Sequence, residues 1–494
     1  MVGNVSIVGA GIIGLCTALA LARKGNNVTI YERDGAPPEG GANEAFFEWR
    51  RKGAAQFRHP HAFLGLMCNI LQGNYPDLVE DFWNAGARKV GFVDLLSPEL
   101  MENYSPAPGD EKLWLLMCRR ATMETVLRRY VEKQPTIEIN NASNVMGIVA
   151  EVEDGTIKIN GIKLDTAGEK SEVRTEVLID ACGRTSKFPG WFAELGNKID
   201  IEDDASQIVY YTRHYQLLPG MEEPKRDPKN RSAGDLGFIK YGVFPGEDGH
   251  FAIILCVPDG ETELRDAVKD GKQFDRICRS IPGLVPWLNK DVSTSTTSSF
   301  GFGDIHAVWR HFVKDGKPVA LNYFAVGDAA VRTNPLYGRG CSIGILHAHI
   351  LADVISDHDD PVTRAIVFDQ CTEDELRPIF KTSLNEDKKG IKRAAAIKAG
   401  KTLDQADSLK KWIGLAFGDA IGAAARDELH VIRGAMRTFN LLEKPGAFLK
   451  DWSIRLTILR YMFRGREKNA AARIQTGPSR LEMIKLVSSY PGST

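Results

Sequence analysis

Val5-Ser6-Ile7-Val8-Gly9-Ala10-Gly11-Ile12-Ile13-Gly14, near the start of a 494-residue sequence, decides how the chain folds. Val5 to Val8 reads as a short buried strand, and the glycine turn follows at once. Leu15 to Lys24 is rich in Ala and Leu, which favour helix, and Gly25 suits the helix stop. Asn27 to Tyr31 reads as a second strand. Glu32 stands at its end, eighteen residues after Gly14, with Arg33 next to it. Strand, G-x-G-x-x-G, helix, strand and acid form the dinucleotide fingerprint in its structural context. Gly9 permits the tight turn, Gly11 lets the backbone approach a pyrophosphate, and Gly14 lets the helix pack close to the strand. Ile12 and Ile13 belong to the same turn and are cofactor-binding candidates with it, since the N–H groups and positive dipole end of the helix that follows face the phosphates. Glu32 is placed to accept hydrogen bonds from ribose hydroxyls. The fingerprint alone does not choose between NAD and FAD.

Composition narrows the field further. The length predicts about two to three domains. Lys and Arg number 63 and Asp and Glu 64, a net charge of −1, so non-specific nucleic-acid binding has no electrostatic support. The hydrophobic share of 43% and the charged share of 26% are those of a folded globular chain. The eight cysteines (16, 68, 118, 182, 256, 278, 341, 371) form no C-x-x-C pair, which argues against a zinc ribbon or a dense disulfide framework. No metal site is expected. No apolar run is long enough to span a bilayer. The N-terminus lacks the charged start and cleavage site of a signal peptide. A reducing, cytoplasmic location follows as the expectation.

A second signal lies three hundred residues on. Tyr323-Phe324-Ala325-Val326 is a short apolar strand that ends in Gly327-Asp328-Ala329-Ala330. Pro335-Leu336-Tyr337-Gly338-Arg339-Gly340 follows, and a helix then starts near Cys341, with Ile343, Leu346, Ile350 and Val354 on one face. G-D-A-x…P-x-x-G-x-G resembles the second flavin motif of the aromatic-hydroxylase superfamily of FAD-dependent monooxygenases. The similarity is greatest to the polyketide-epoxidase and geranylgeranyl-reductase-like branch. The resemblance covers residues 1–355 through spaced motifs. It implies that Asp328, after Gly327, binds the ribityl chain. It also implies that Pro335, Gly338, Gly340 and Cys341 lie beside the isoalloxazine. Glycines there let backbone amides approach the ring edge, and a helix N-terminus stabilises the anionic reduced flavin.

Further landmarks fit the resemblance. Arg119-Arg120 opens a helix, and Arg120, with Arg119 as the alternative, matches the arginine that reaches the flavin ribityl–phosphate region. Val177 to Asp180 is a strand, followed by Ala181-Cys182-Gly183-Arg184. Single-component hydroxylases carry an Asp-Gly pair here that serves both FAD and NADPH. The departure weakens direct NADPH binding and leaves room for a separate flavin reductase, with NADH or NADPH as the ultimate reductant. Gln56-Phe57-Arg58-His59-Pro60-His61 resembles a segment near the flavin in the epoxidase-like branch. Arg58 is a candidate contact to the cofactor or an anionic intermediate. His59 and His61 are candidate proton relays; the bland alternative for each is a packed or surface side chain. The W-x-W-x-I-P motif of flavin halogenases is absent, and Trp191-Phe192 is only a superficial echo.

Residues 207–216, 237–244 and 251–258 read as strands separated by turn material. In the resembled family such an antiparallel sheet roofs the flavin and holds the substrate, with Tyr211, Phe238, Tyr241 and Phe251 as candidate lining. The last hundred residues read as helical. Ser453, Thr457, Arg460 and Arg464 form a polar stripe on an otherwise apolar stretch, and residues 446–473 carry seven basic and two acidic residues. A docked core helix is the ordinary reading, and a membrane-surface or partner-binding helix the sharper one. The expected class is α/β: a Rossmann-like FAD-binding domain with a parallel sheet, an inserted antiparallel-sheet substrate domain and a helical C-terminal region. The FAD-binding domain is expected at 1–75, 106–200 and 306–380, the substrate domain at 76–105 and 201–305, and the helical region at 381–494. The resemblance implies a monooxygenase that uses O2 to epoxidise or hydroxylate a small organic substrate through a C4a-hydroperoxyflavin. A flavin dehydrogenase or ene-reductase passing hydride at N5, and a non-catalytic FAD-binding protein docked by its C-terminal helix, are the alternatives.

Overall fold

The computed structural model describes residues 3–401, 406–470 and 476–490. The elements that frame the site begin with β1 (Asn4–Val8), α1 (Ile12–Arg23) and β2 (Asn27–Tyr31). They continue with α2 (Arg120–Glu132), β3 (Ile137–Asn140) and β4 (Val177–Asp180). Then come β5 (Ile208–Leu217), β6 (Lys240–Pro245), β7 (His250–Pro258), β8 (Tyr323–Ala325) and α3 (Gly340–Asp357). The C-terminal helices are α4 (Pro361–Lys398), α5 (Leu409–Asp427), α6 (Leu429–Phe439) and α7 (Trp452–Arg464).

The first sheet has the order β8-β4-β1-β2-β3 and is parallel throughout. Val5, Ile7, Val28, Ile30, Val177 and Ile179 are buried in it, as expected for strands covered on both faces. α1 starts at Ile12, three residues before the expected Leu15. Gly11 sits extended at φ −77°, ψ 178° and releases the helix directly from the turn. Gly9, at φ +105°, takes the backbone conformation that a side chain disfavours.

β5, β6 and β7 form the heart of an antiparallel sheet, with Tyr210 opposite Cys256, Thr212 opposite Ile254 and Phe244 opposite Ala252. Its outer face packs Tyr211, Tyr215, Phe238, Tyr241, Phe251 and Leu255 into one apolar cluster with the helices of residues 262–288. The four aromatic residues expected to line a ligand site therefore belong to this core. The residues one step along in register face inward instead. The expected boundary at 380/381 falls inside α4, which runs unbroken to Lys398.

Candidate active site

A cavity of about 450 Å³ lies between the parallel sheet and the antiparallel one. It opens at the carboxyl ends of β1 and β2, where open α/β sheets bind ligands. Gly9, Gly11, Ile12 and Ile13 line it from the first turn, and Glu32 and Arg33 from the end of β2. His59, His61 and Arg120 form one wall. Asp328, Pro335, Gly338, Gly340 and Cys341 come from the segment between β8 and α3. Tyr210, Phe244, Ile254 and Cys256 face it from the antiparallel sheet, and Trp191 also touches it.

Three of the expected residues lie outside the lining. A Cβ on Gly14 would stand 1.9 Å from the Gly9 carbonyl oxygen, so this glycine serves the packing of α1 on the turn. Gly327 sits at φ +59° against Ile13, and its N–H donates to His347 Nδ1 at 3.3 Å. Arg58 turns away: its guanidinium donates to the carbonyls of Phe46 and Phe47, both at 3.2 Å.

Beneath the cavity runs a string of buried charges. His61 Nδ1 is 2.9 Å from the His59 carbonyl, which can only accept, so Nδ1 carries the proton. Its Nε2 therefore accepts from Arg120 Nη1 at 3.0 Å. Arg120 Nε donates to Glu124 at 2.5 Å, and Arg51 Nε donates to the other oxygen of Glu124 at 3.1 Å. Arg51 also reaches Glu32 at 3.3 Å, Asp34 at 3.4 Å and the Ala10 carbonyl at 3.2 Å. Burial opposes the charge of Arg51, but Glu124, Glu32 and Asp34 outweigh it and raise its pKa above the usual value. Glu32 accepts from the N–H groups of Ala10 at 2.8 Å and Asp34 at 2.9 Å. Arg51 thus ties the nucleotide turn to α2. It lies in an ordinary run, Arg50-Arg51-Lys52, and no spacing in the sequence sets it apart.

The histidines are held neutral. Burial, with Arg120 nearby, pushes His61 down to about 3. Burial, then His214 and Arg120, does the same to His59. His59 Nδ1 lies 2.9 Å from Thr212 Oγ1, and its Nε2 has no hydrogen-bond partner among the described residues. The Asp328 carboxylate also has none, although burial raises its pKa against the pull of Arg332, Arg120, Arg310 and Arg184.

A second feature escaped the sequence. Asp387, buried on α4, accepts from Asn334 Nδ2 at 2.8 Å, Tyr337 OH at 3.2 Å and Ser206 Oγ at 2.9 Å. The Asn334 side-chain oxygen accepts from Tyr210 OH and from Leu336 N–H. Arg339 pairs with Glu386 at 2.9 Å and donates to Ser383 at 2.7 Å. One face of α4 therefore clamps the whole 334–339 turn.

The donor set fits a flavin dinucleotide. A Cβ built on Gly11 meets nothing within 4 Å, so the backbone there is open to a ligand. α1 starts without a side-chain cap, which leaves its first N–H groups free for phosphate. Arg33, Arg120, Arg184 and Arg332 border the cavity as counter-charges, and Asp328 offers a partly buried acceptor to a hydroxyl.

Residues 4–49 match the FAD dependent oxidoreductase family. A FAD-dependent monooxygenase of Aspergillus terreus is 54% identical over 393 residues, covering 71% of this chain and 77% of its own. Protein Rv3254 of Mycobacterium tuberculosis is 25% identical over 372 residues, covering 69% of this chain and 70% of its own. The crystal structure of p-nitrophenol 4-monooxygenase PnpA from Pseudomonas putida is similar in fold, with a TM-score of 0.56 and 16% identity. That match covers 90% of this chain and 99% of PnpA.

Proposed function

The chain belongs to the FAD-dependent monooxygenases, and from this we propose that it transfers one atom of O2 to a small organic substrate held between the 335–341 turn and the antiparallel sheet. The observation that carries this reading is the single cavity that joins the Gly9–Gly14 turn, Asp328, the 335–341 turn and Tyr210, Phe244 and Ile254. Bound FAD supplies the redox chemistry, in which the reduced flavin activates O2.

The chain's own residues have separable tasks. The N-terminus of α1 and Gly11 bind the diphosphate. Glu32 has lone pairs left for a ribose hydroxyl beyond its two backbone partners. Asp328 accepts from the ribityl chain. Pro335, Gly338, Gly340 and Cys341 line the part of the cavity that would hold the isoalloxazine, where the positive end of α3 would favour negative charge on the ring. Phe244, Ile254 and Phe302 exclude water from the substrate side. His59 can hold or pass a proton at Nε2. His61 has both ring nitrogens engaged and positions Arg120.

Asp328→Ala tests the cofactor assignment. The carboxylate carries no protein hydrogen bond, so the fold is expected to survive. FAD binding is expected to weaken roughly tenfold, on the order of 1.4 kcal/mol for a lost charged hydrogen bond. Fluorescence titration with FAD checks it, and unchanged affinity rejects the role.

We propose NADH or NADPH as ultimate reductant, delivered through a separate flavin reductase. In support, Asp180 is fully buried and already accepts from Cys182 N–H at 2.9 Å, Tyr323 OH at 3.0 Å and Ser186 Oγ. It has little left to offer a second nucleotide. A cytoplasmic setting is consistent with eight free cysteines. No helix among the described residues is long and apolar enough to cross a membrane. The deciding experiment is an anaerobic spectrum of the purified protein. A yellow protein that stays oxidised with NADH or NADPH, and bleaches once a flavin reductase is added, is the expected result. Direct bleaching by either nucleotide overturns the two-component part. A colourless protein that cannot be reconstituted with FAD overturns the site.

A further inference from the structure

α7 is apolar on two opposite sides. Ile454, Ile458 and Tyr461 are buried against α5 and its neighbours, so this face is the docked core helix that the sequence pattern suggests. Trp452, Leu456, Leu459 and Phe463 lie on the other side at spacings of 4, 3 and 4. Trp452 is 70% exposed, Leu456 61% and Phe463 90%. A water-facing helix surface normally carries polar residues at these positions.

α5 adds to the same kind of surface. It runs antiparallel to α7, with Asp427 3.4 Å from Arg464 and Asp419 3.0 Å from Arg466, just past the end of α7. The residues of α5 before Asp419 extend beyond that end. They expose Leu409, Trp412, Ile413 and Phe417. Both tryptophans that stand exposed among the described residues are thus on these two helices.

The charged residues within the two exposed helical segments are cationic, beside the uncharged Ser453 and Thr457 of α7. α7 contains Arg455, Arg460 and Arg464 and no acid, and α5 carries Lys410 and Lys411 before Asp419. Arg455 stacks on Trp452 at 5.2 Å on one side of the stripe. On the other side Arg460 pairs with Glu428 and still keeps 64% of its side chain exposed. Apolar side chains in a stripe, tryptophan at one end and arginines on both flanks match the physics of a helix lying in a lipid headgroup layer. A second copy fits less well. A two-fold pairing would set these arginines against their own images, and four side chains fall short of the roughly 1,200 Å² that a stable interface buries.

We propose that the α5–α7 surface docks this enzyme onto an anionic lipid surface, with the outer stripe of α7 entering the headgroup layer. α6 connects this surface to the cavity: His430 Nε2 lies 2.9 Å from Thr457 Oγ1 on α7, and Phe439 lines the cavity nine residues on. At 1.5 Å per residue that is about 14 Å. Docking therefore brings the cavity close to a phase where apolar substrates concentrate. That last consequence rests on the proposed substrate site, while the docking itself does not.

Flotation of the full-length holoenzyme with phosphatidylcholine vesicles, with and without phosphatidylserine, tests it. Binding is expected with the anionic vesicles and is expected to fall with added salt. Leu456→Glu/Phe463→Glu should reduce the bound fraction at least tenfold, with FAD content unchanged because both side chains already face water. Three results overturn the proposal. The wild type could stay unbound with both vesicle types, the variant could bind as well as the wild type, or the surface could hold a dimer that the double substitution dissolves in size-exclusion chromatography. Failure of the flavin site would instead show as loss of colour in the wild type, with vesicle binding intact.

Discussion

Gly11→Val should give a folded protein that has lost its FAD. Gly11 has φ −77°, which any residue tolerates, and its Cβ direction is empty to 4 Å. Nothing in the protein therefore resists the side chain. The isopropyl group instead takes the space through which a pyrophosphate approaches the α1 N-terminus. The expected loss is at least about 100-fold in FAD affinity, or roughly 3 kcal/mol, with a melting curve like that of the wild-type apoprotein. Gly14→Val is the contrasting control. Its Cβ would lie 1.9 Å from the Gly9 oxygen, a clash with backbone that no rotamer relieves. That variant is expected to lose the fold itself. If Gly11→Val purifies with a full complement of FAD, the first turn is not the pyrophosphate site.

The second large effect belongs to Arg51. Replacement by Met keeps most of the volume but strands Glu32, Asp34 and Glu124, all buried, without their shared cation. Breaking a buried pair by removing one partner costs about 3–5 kcal/mol; Glu124 keeps Arg120, but Glu32 and Asp34 lose their cation. Arg51→Lys should recover only part of it, because a single ammonium cannot reach both Glu124 and the Ala10 carbonyl in the same fork. Urea unfolding of the apoprotein measures both variants. Equal midpoints for wild type and Met variant would mean that the charges are solvated and the string beneath the cavity carries no stability.

What the sequence made legible, and what it hid, follows from range. The Gly9–Gly14 turn and the Gly327–Gly340 segment are local: glycine, aspartate and proline are demanded by backbone geometry within a few residues. Arg51 and Asp387 act across long separations, joining Ala10 to Glu124 and Ser206 to Asn334. No local pattern marks them. Arg58 illustrates the same limit, since it sits in a distinctive motif yet spends its guanidinium on two carbonyls outside the cavity. Tyr211 and Phe251 were misleading for another reason. β7 is apolar on both faces and β5 carries aromatic residues on both, so alternation cannot tell which face looks onto the ligand. α7 repeats the ambiguity in helical form, buried on Ile454 and Ile458 and open at Trp452 and Phe463.

The two faces of β5 also bear on how such an enzyme can diverge. Tyr211 and Tyr215 anchor the sheet to its helices, while Tyr210 meets the cavity and Thr212 meets His59. Neighbours in the chain therefore carry different duties. A lineage can retune Tyr210, Ile254 or Cys256 for a new substrate while Tyr211, Ile253 and Leu255 keep the domain folded. Under that arrangement, chemical novelty and thermal robustness are inherited on separate, interleaved sets of codons.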